Sequence, residues 1–179
     1  MKTFDLSDGI TLTEVRINDA PDIFRTLDAN REYFGRWLPF VEYTYTVDDS
    51  VAFLEMFLKT PGGTKEYLFA IRDNGQFVGL IGFKSTDPEN FRTEIGYWLR
   101  EESQGKGIMT RAVDRLCRFA FDNMNMNRVQ IRCAVGNTRS GNIPRRLGFR
   151  LEGVERAGEL LTGGKFVDVE VYSMLKEDM

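Results

Sequence analysis

The residues with the clearest chemical potential form a two-glycine loop, Gly105-Lys106-Gly107. A strand-like segment precedes it at 93–99, and a helical repeat of apolar residues follows it at 109–124. A strand, a glycine loop and a helix in this order place free backbone N–H groups at the positive end of the helix dipole. Glycine also lets the backbone approach an anion closely and adopt a positive φ at low cost. The segment therefore predicts a binding site for phosphate.

The composition restricts the chemistry that the chain can perform. It has 179 residues and no histidine. That absence excludes Ser-His-Asp and Cys-His nucleophile pairs and removes the usual ligands of zinc and iron. Catalysis must then use carboxylates, hydroxyls, backbone amides and the reactivity of the substrate, and no metal is expected. Cys117 and Cys133 lie in helical and strand-like contexts, so a disulfide framework is not expected either.

Length and hydropathy indicate one soluble domain. With 42% hydrophobic residues, residues 1–179 are sufficient for a single domain with its own core. No apolar run approaches the ~20 residues that span a bilayer. The first residues also lack the basic and apolar regions of a signal peptide. We therefore expect a cytoplasmic protein that does not contact membranes.

Charge is distributed unevenly along the chain. Residues 1–90 contain 9 Lys and Arg against 15 Asp and Glu, whereas residues 91–179 contain 15 against 12. This asymmetry favours an anionic ligand held by the second half and a cationic partner received by the first. Because no basic patch interleaved with aromatic residues is present, nucleic acid is not an expected partner.

The hydrophobic pattern predicts an α/β (α+β) domain in which helices come first, an antiparallel meander follows, and a β–α–β crossover comes next. Strands 93–99 and 129–135 should be parallel across that crossover. The turn Asp73-Asn74-Gly75 between two apolar runs is the strongest hairpin signal. The other predicted elements are a strand at 10–16, a helix from Asn18-Asp19 to about Glu32, a helix from Thr46 to Pro61-Gly62-Gly63, strands at 67–72 and 77–83, a helix at 139–147, and a hairpin of 150–161 with 165–175.

The order of these elements, together with several spaced motifs, resembles the GNAT superfamily of acetyl-CoA-dependent N-acetyltransferases over nearly the whole chain. More narrowly, it resembles the branch that acetylates the N-termini of ribosomal proteins. The motifs are Trp37-Leu38-Pro39, Glu94-Ile-Gly-Tyr-Trp98, Gln104-Gly-Lys-Gly-Ile-Met109, Asn137-Thr-Arg-Ser140, Leu147-Gly148-Phe149 and Leu151-Glu152-Gly153.

The resemblance implies a mixed, mostly antiparallel sheet with a splayed parallel pair and flanking helices. It also implies acetyl-CoA as co-substrate: loop amides would hold its diphosphate, and its pantetheine would lie along the splayed strand edge. Asn137 also fits a helix N-cap on its position alone. The implied cofactor-binding residues are Trp98, Leu99, Arg100, Gln104, Gly105, Lys106, Gly107, Ile108, Met109, Thr110, Asn137 and Asn142.

The resemblance and the residues together suggest candidates for the catalytic base and the catalytic acid. Glu159 matches the catalytic glutamate of the ribosomal branch, and Glu94 lies on the strand that leads into the cleft, so both are candidate bases. Ser140 is the candidate acid, because Pro144 occupies the position where much of the superfamily has a tyrosine. Cys133 shares the apolar face of its strand and lacks a histidine partner, so we expect a core residue and not a nucleophile.

The implied acceptor is the N-terminal amine of a protein or a basic peptide. Two alternatives remain at this stage. One is a small amine such as a polyamine, an aminoglycoside or an amino acid. The other is a non-catalytic module that binds acyl-CoA. Aromatic residues between the first two helices are expected in the core, in a homodimer interface or in the acceptor wall: Tyr33, Phe34, Trp37, Phe40, Tyr43 and Tyr45.

Overall fold

One eight-stranded sheet organises the protein, whose computed structural model describes residues 1–59 and 66–179. The strands are β1 (Thr3–Asp5), β2 (Ile10–Glu14), β3 (Leu68–Asp73), β4 (Gln76–Asp87), β5 (Arg92–Leu99), β6 (Arg128–Ala134), β7 (Arg150–Leu161) and β8 (Lys165–Leu175). Their order is β1-β2-β3-β4-β5-β6-β8-β7. Neighbours are antiparallel except β5 and β6, which are parallel. This confirms the predicted single domain with a mixed sheet.

Helices cover both faces of the sheet and create two cores. The helices are α1 (Ala20–Ala29), α2 (Arg31–Gly35), α3 (Val47–Leu58), α4 (Ile108–Asn123) and α5 (Thr138–Arg146). The apolar face of α4, which includes Ala112, Val113 and Leu116, packs with strand residues such as Ile81 and Ile131 in the larger core. Apolar residues of α1, α2 and α3 pack with Ala70, Phe77 and Leu80 in the second core.

The predicted capping and turn signals act as expected. The Thr46 hydroxyl accepts from the backbone N–H of Asp49, whose carboxylate accepts from the backbone N–H of Thr46, so a capping box begins α3. The predicted end of this helix at 61–63 lies outside the described residues. Asn74 and Gly75, with φ of +48° and +82°, connect the paired residues Asp73 and Gln76 of β3 and β4.

Two local predictions were wrong. The first helix does not continue to Glu32, because Asn30 leaves the helical region at φ −123° and ψ 25°. Its backbone N–H donates to the Leu27 carbonyl at 3.2 Å and its side-chain amide to the Thr26 carbonyl at 3.0 Å, which ends α1 and lets α2 begin separately. The strand predicted at 10–16 ends at Glu14, and β1 was not predicted at all.

Cys117 and Cys133 are both buried and free, as expected. Among the described residues, no helix combines the length and the hydropathy that a bilayer crossing requires.

Candidate active site

The parallel strands β5 and β6 form a gap in the middle of the sheet. They pair only from Arg92 to Glu94, opposite 128–130, although β5 continues to Leu99 and β6 to Ala134. Beyond Glu94, β5 remains bonded to β4 and β6 to β8. The Arg100 N–H donates to the Val78 carbonyl of β4 at 2.9 Å, so strand alternation turns the Leu99 N–H toward the gap. The predicted splay is therefore present and leaves strand edges available to a ligand.

The glycine loop lies beside this gap. Gly107 is the N-cap of α4 with φ +72°, and Gly105 has φ +75°. At neither position does any described atom lie within 4 Å of where a side chain would begin. Within 1–59 and 66–179, the backbone N–H groups of residues 105–110 donate to no protein acceptor. The loop thus presents a row of unpaired donors at the start of a sixteen-residue helix.

The hydrogen bonds of Gln104 fix the start of the glycine loop. Its side-chain Nε2 donates to the Tyr33 hydroxyl and to the Leu99 carbonyl, the latter at 3.2 Å. Its Oε1 accepts from Arg139 Nη1 at 2.8 Å, and its backbone N–H donates to Glu101. Because these donors and acceptors are engaged inside the protein, Gln104 positions the loop.

A cavity of about 910 Å³, called the loop cavity below, lies against these donors. Eleven of the twelve predicted cofactor-binding residues line it. The exception is Arg100, which lies outside the lining; its guanidinium donates to Ser103 Oγ at 2.8 Å and to Gln76 Oε1 at 3.1 Å. The basic residues of the lining outnumber the acidic Asp8 and Glu101, which favours an anionic ligand. These basic residues are Lys106, Arg111, Arg139 and Arg146.

A second cavity, of about 520 Å³, lies under α1 and α3 and is called the helix cavity. Its walls are largely apolar and aromatic and include Leu27, Phe40, Phe53 and Phe57. The helix cavity and the loop cavity share six residues at the gap: Trp37, Leu38, Tyr97, Trp98, Asn137 and Ser140. Two ligands, one in each cavity, can therefore meet at this point.

Ser140 lies at the junction of the two cavities and is bonded to Tyr97. Its hydroxyl donates to the Tyr97 hydroxyl at 3.3 Å, and Tyr97 donates to the Ser140 backbone carbonyl at 3.1 Å. Burial raises the pKa of Tyr97, so its hydroxyl stays protonated. Sequence reasoning missed Tyr97, because a tyrosine in an apolar strand looks like a core residue.

Asn137 has two positions in the site. Its side chain accepts from the Ser140 N–H at 3.3 Å and so caps α5, and Asn137 also lines both cavities.

The two candidate bases occupy different environments. Glu159 is exposed and lines the helix cavity, and its carboxylate has no hydrogen bond or ion pair with any other described residue. Glu94 is buried, with 8% of its side chain exposed, and is absent from the lining of either cavity. Lys84, its cross-strand neighbour, places its ammonium 2.9 Å from Glu94 Oε1. Both glutamates were candidate bases, and of the two only Glu159 lines a cavity that Ser140 also lines.

An irregularity in β7 directs Glu159 to the cavity. The register with β8 shifts between Glu155 and Glu159, and Ala157 adopts a positive φ of +50°. The Ala157 N–H donates to Asp168 Oδ1 at 2.8 Å, which holds this unfavourable conformation. Bulges of this kind redirect side chains, and they are frequent beside active sites.

Comparisons with known proteins agree with this geometry. The acetyltransferase (GNAT) domain family matches residues 10–150. A protein whose fold leaves a strand gap beside a glycine loop, and whose sequence matches this family, is an acyl-group transferase. The chain belongs to the GNAT superfamily of N-acetyltransferases.

Individual relatives cover almost the whole chain. YdaF of Bacillus subtilis (strain 168) is 33% identical over 99% of this chain and 97% of its own length. The ribosomal-protein-serine acetyltransferase of Escherichia coli (strain K12) is 27% identical over 97% of each chain. The structure of the microcin C7 self-immunity acetyltransferase MccE in complex with acetyl-CoA and AMP superposes with a TM-score of 0.89. It is 30% identical and covers 95% of this chain and 94% of its own.

Proposed function

We propose that the protein transfers the acetyl group of acetyl-CoA to the N-terminal α-amino group of a protein or peptide. The observation that carries this proposal is the meeting of two cavities at Tyr97 and Ser140. One cavity suits a phosphorylated cofactor and the other an apolar acceptor. The E. coli relative named for ribosomal-protein serine and the MccE complex with acetyl-CoA support the same assignment.

The loop cavity holds acetyl-CoA in this proposal. The unpaired N–H groups of residues 105–110 bind the diphosphate, and the helix dipole of α4 favours its negative charge. Pantetheine passes through the gap between β5 and β6 and bonds to the edge of β5 as an added strand would. The thioester then lies near the Leu99 N–H, which stabilises the oxyanion that forms on its carbonyl oxygen.

The amine attacks the thioester directly in a ternary complex. An α-amino group has a pKa near ~8, so part of it is already neutral at cellular pH and a modest base suffices. Glu159, which is unpaired and lies in the helix cavity, takes the proton. As the carbon–sulfur bond breaks, the Ser140 hydroxyl donates a proton to the thiolate, and the proton that Glu159 took from the amine returns to Ser140 through solvent, while Tyr97 keeps its own proton. The products are the acetylated amine and CoA.

Cys133 is not a nucleophile in this mechanism. It is 3% exposed, its thiol donates to the Asn137 carbonyl at 3.4 Å, and burial raises its pKa, so the thiolate is disfavoured. We expect Cys133→Ala to change kcat by less than about threefold. The matched control Cys117→Ala should have an equally small effect on kcat. Steady-state kinetics measures this, and mass spectrometry of enzyme quenched without acceptor searches for acetyl-cysteine. Acetyl transfer to Cys133 on the time scale of turnover would contradict direct attack.

A thiol-release assay tests the proposed function. Purified protein is incubated with acetyl-CoA and with peptides that differ in their first residue, beside polyamines, aminoglycosides and free amino acids. We expect release with peptides that have a free N-terminus and none with the same peptides after N-terminal blocking. Turnover confined to small amines would replace the proposed acceptor, and binding of acetyl-CoA without turnover on any amine would indicate a sensor.

A further inference from the structure

Most polar groups in the wall of the helix cavity are committed to partners inside the protein. The Thr44 hydroxyl donates to the Phe40 carbonyl at 2.9 Å. The Asp49 carboxylate accepts the backbone N–H groups at 45 and 46, which lower its pKa. Arg132 donates to Glu155, and Lys84 pairs with Glu94. These groups shape the cavity without being free to recognise a ligand.

Ser50 differs from them. It lies on α3, where Phe53 and Phe57 share its helix face and also line the helix cavity. Only 2% of Ser50 is exposed, and its hydroxyl oxygen is buried without a hydrogen-bond partner among the described residues. A buried hydroxyl without a partner is unfavourable, because folding has removed its bonds to water. Ser50 is therefore a polar group in an apolar wall that a ligand can satisfy.

The position of Glu159 orients that ligand. Ser140 lies at the junction with the loop cavity, where the amine must react, and Glu159 lines the helix cavity that Ser140 shares, whereas Ser50 belongs to the wall formed by α3. An acceptor whose amine faces Glu159 extends the side chain of its first residue into the remainder of the cavity. A volume of about 520 Å³ is large enough for such a side chain and the backbone that carries it.

We propose that the Ser50 hydroxyl determines acceptor specificity by forming a hydrogen bond with a hydroxyl on the first side chain of the acceptor. The inference rests on the proposed function. A serine hydroxyl donates and accepts, so it can bond to another hydroxyl in either direction. The aromatic walls bury the apolar part of that side chain, and Ser50 distinguishes the hydroxyl-bearing member of an isosteric pair. The acceptor class is thus a peptide that begins with serine, threonine or tyrosine.

Isosteric peptide pairs test the proposal. The pairs begin with Thr and Val, Ser and Ala, or Tyr and Phe, and they are otherwise identical. We expect wild-type kcat/KM to favour the hydroxyl member by about tenfold in the pair that best fits the cavity, because an apolar group leaves the Ser50 hydroxyl unpaired. In Ser50→Ala the preference should fall to about one, mainly through faster turnover of the apolar peptide.

Thermal stability provides a readout that does not depend on activity. We expect Ser50→Ala to leave the Tm unchanged or raised, since no internal hydrogen bond is lost. Ser173→Ala is the matched control, because Ser173 is 4% exposed and its hydroxyl donates to Glu152 at 2.8 Å. This control should lower the Tm and keep the wild-type preference for hydroxyl peptides.

The outcomes separate the two proposals. Equal turnover within all three pairs, or a preference that survives in Ser50→Ala, would overturn the role of Ser50 and leave the proposed function intact. A fall in Tm like that of Ser173→Ala would also overturn it, because it would reveal an internal partner. Absence of turnover with every peptide would overturn the proposed function and this inference together.

Discussion

Gly107→Asp is expected to abolish the thermal stabilisation that acetyl-CoA gives to the protein. In the wild type, a ligand at about 100 times its Kd should raise the Tm of a chain of this size by roughly 5–10 °C. In the variant, a carboxylate at the N-cap of α4 repels the diphosphate, and the φ of +72° at this position strains any residue with a side chain. Differential scanning fluorimetry with and without acetyl-CoA measures the shift.

Two further variants separate charge from strain. Gly163→Asp introduces the same residue at a φ of +76° in the turn between β7 and β8, away from both cavities. It should lower the Tm of the free protein but keep the full ligand-induced shift. Gly107→Ala introduces strain without charge and should keep part of the shift. A full shift in Gly107→Asp would show that the loop does not hold the diphosphate.

Glu159→Gln is expected to lower kcat by roughly 10²- to 10⁴-fold, the usual contribution of a positioned general base. The change is isosteric and removes the one carboxylate that lines the helix cavity without an ion pair or hydrogen bond to another described residue. Since Glu159 does not line the loop cavity, the affinity for acetyl-CoA should stay the same. Saturation kinetics and ligand titration measure the two quantities separately.

Other glutamates serve as comparisons for Glu159. Glu152→Gln is the matched control on the same strand, because Glu152 binds Arg128 and Ser173 outside both cavities. Glu152→Gln should lower the Tm and leave kcat near the wild-type value. Glu94→Gln should likewise act on stability, through the loss of the ion pair between the buried Glu94 carboxylate and the exposed Lys84. If Glu159→Gln retains wild-type kcat while Glu94→Gln does not, the base is Glu94.

Local signals were sufficient to predict most elements of the fold. The hairpin at Asn74-Gly75, the capping box at Thr46 and the apolar repeat of α4 each depend on residues close together in sequence. The parallel pair of β5 and β6 followed from the crossover between them. The break at Asn30 was missed because it depends on hydrogen bonds of one side chain and one backbone amide, which a hydrophobic pattern does not record.

The site was less predictable, because it depends on contacts between distant residues. Gln104 meets Tyr33 across 71 positions of sequence, and Ser140 meets Tyr97 across 43. A local sequence pattern cannot predict contacts between residues so far apart in the sequence. The position of Glu159 in the wall of the helix cavity likewise depends on the irregularity in β7 at Ala157, which the sequence does not mark. The unpaired state of Ser50 could be recognised only after every neighbour had been placed.

The short ladder between β5 and β6 also has a mechanical consequence. In the part of the chain that the structure describes, the ladder between the panel of β1 to β5 and the panel of β6, β8 and β7 has three residue pairs, extended by the Asn127 and Arg128 N–H groups, which donate to the Phe91 carbonyl. Helix α4 packs on both panels through one apolar core. A small relative rotation of the panels about 92–94 would leave the ladders within each panel intact. Such a rotation would change the width of the gap between β5 and β6 to suit the ligand that lies in it, and the apolar core that α4 shares with both panels would oppose a large displacement.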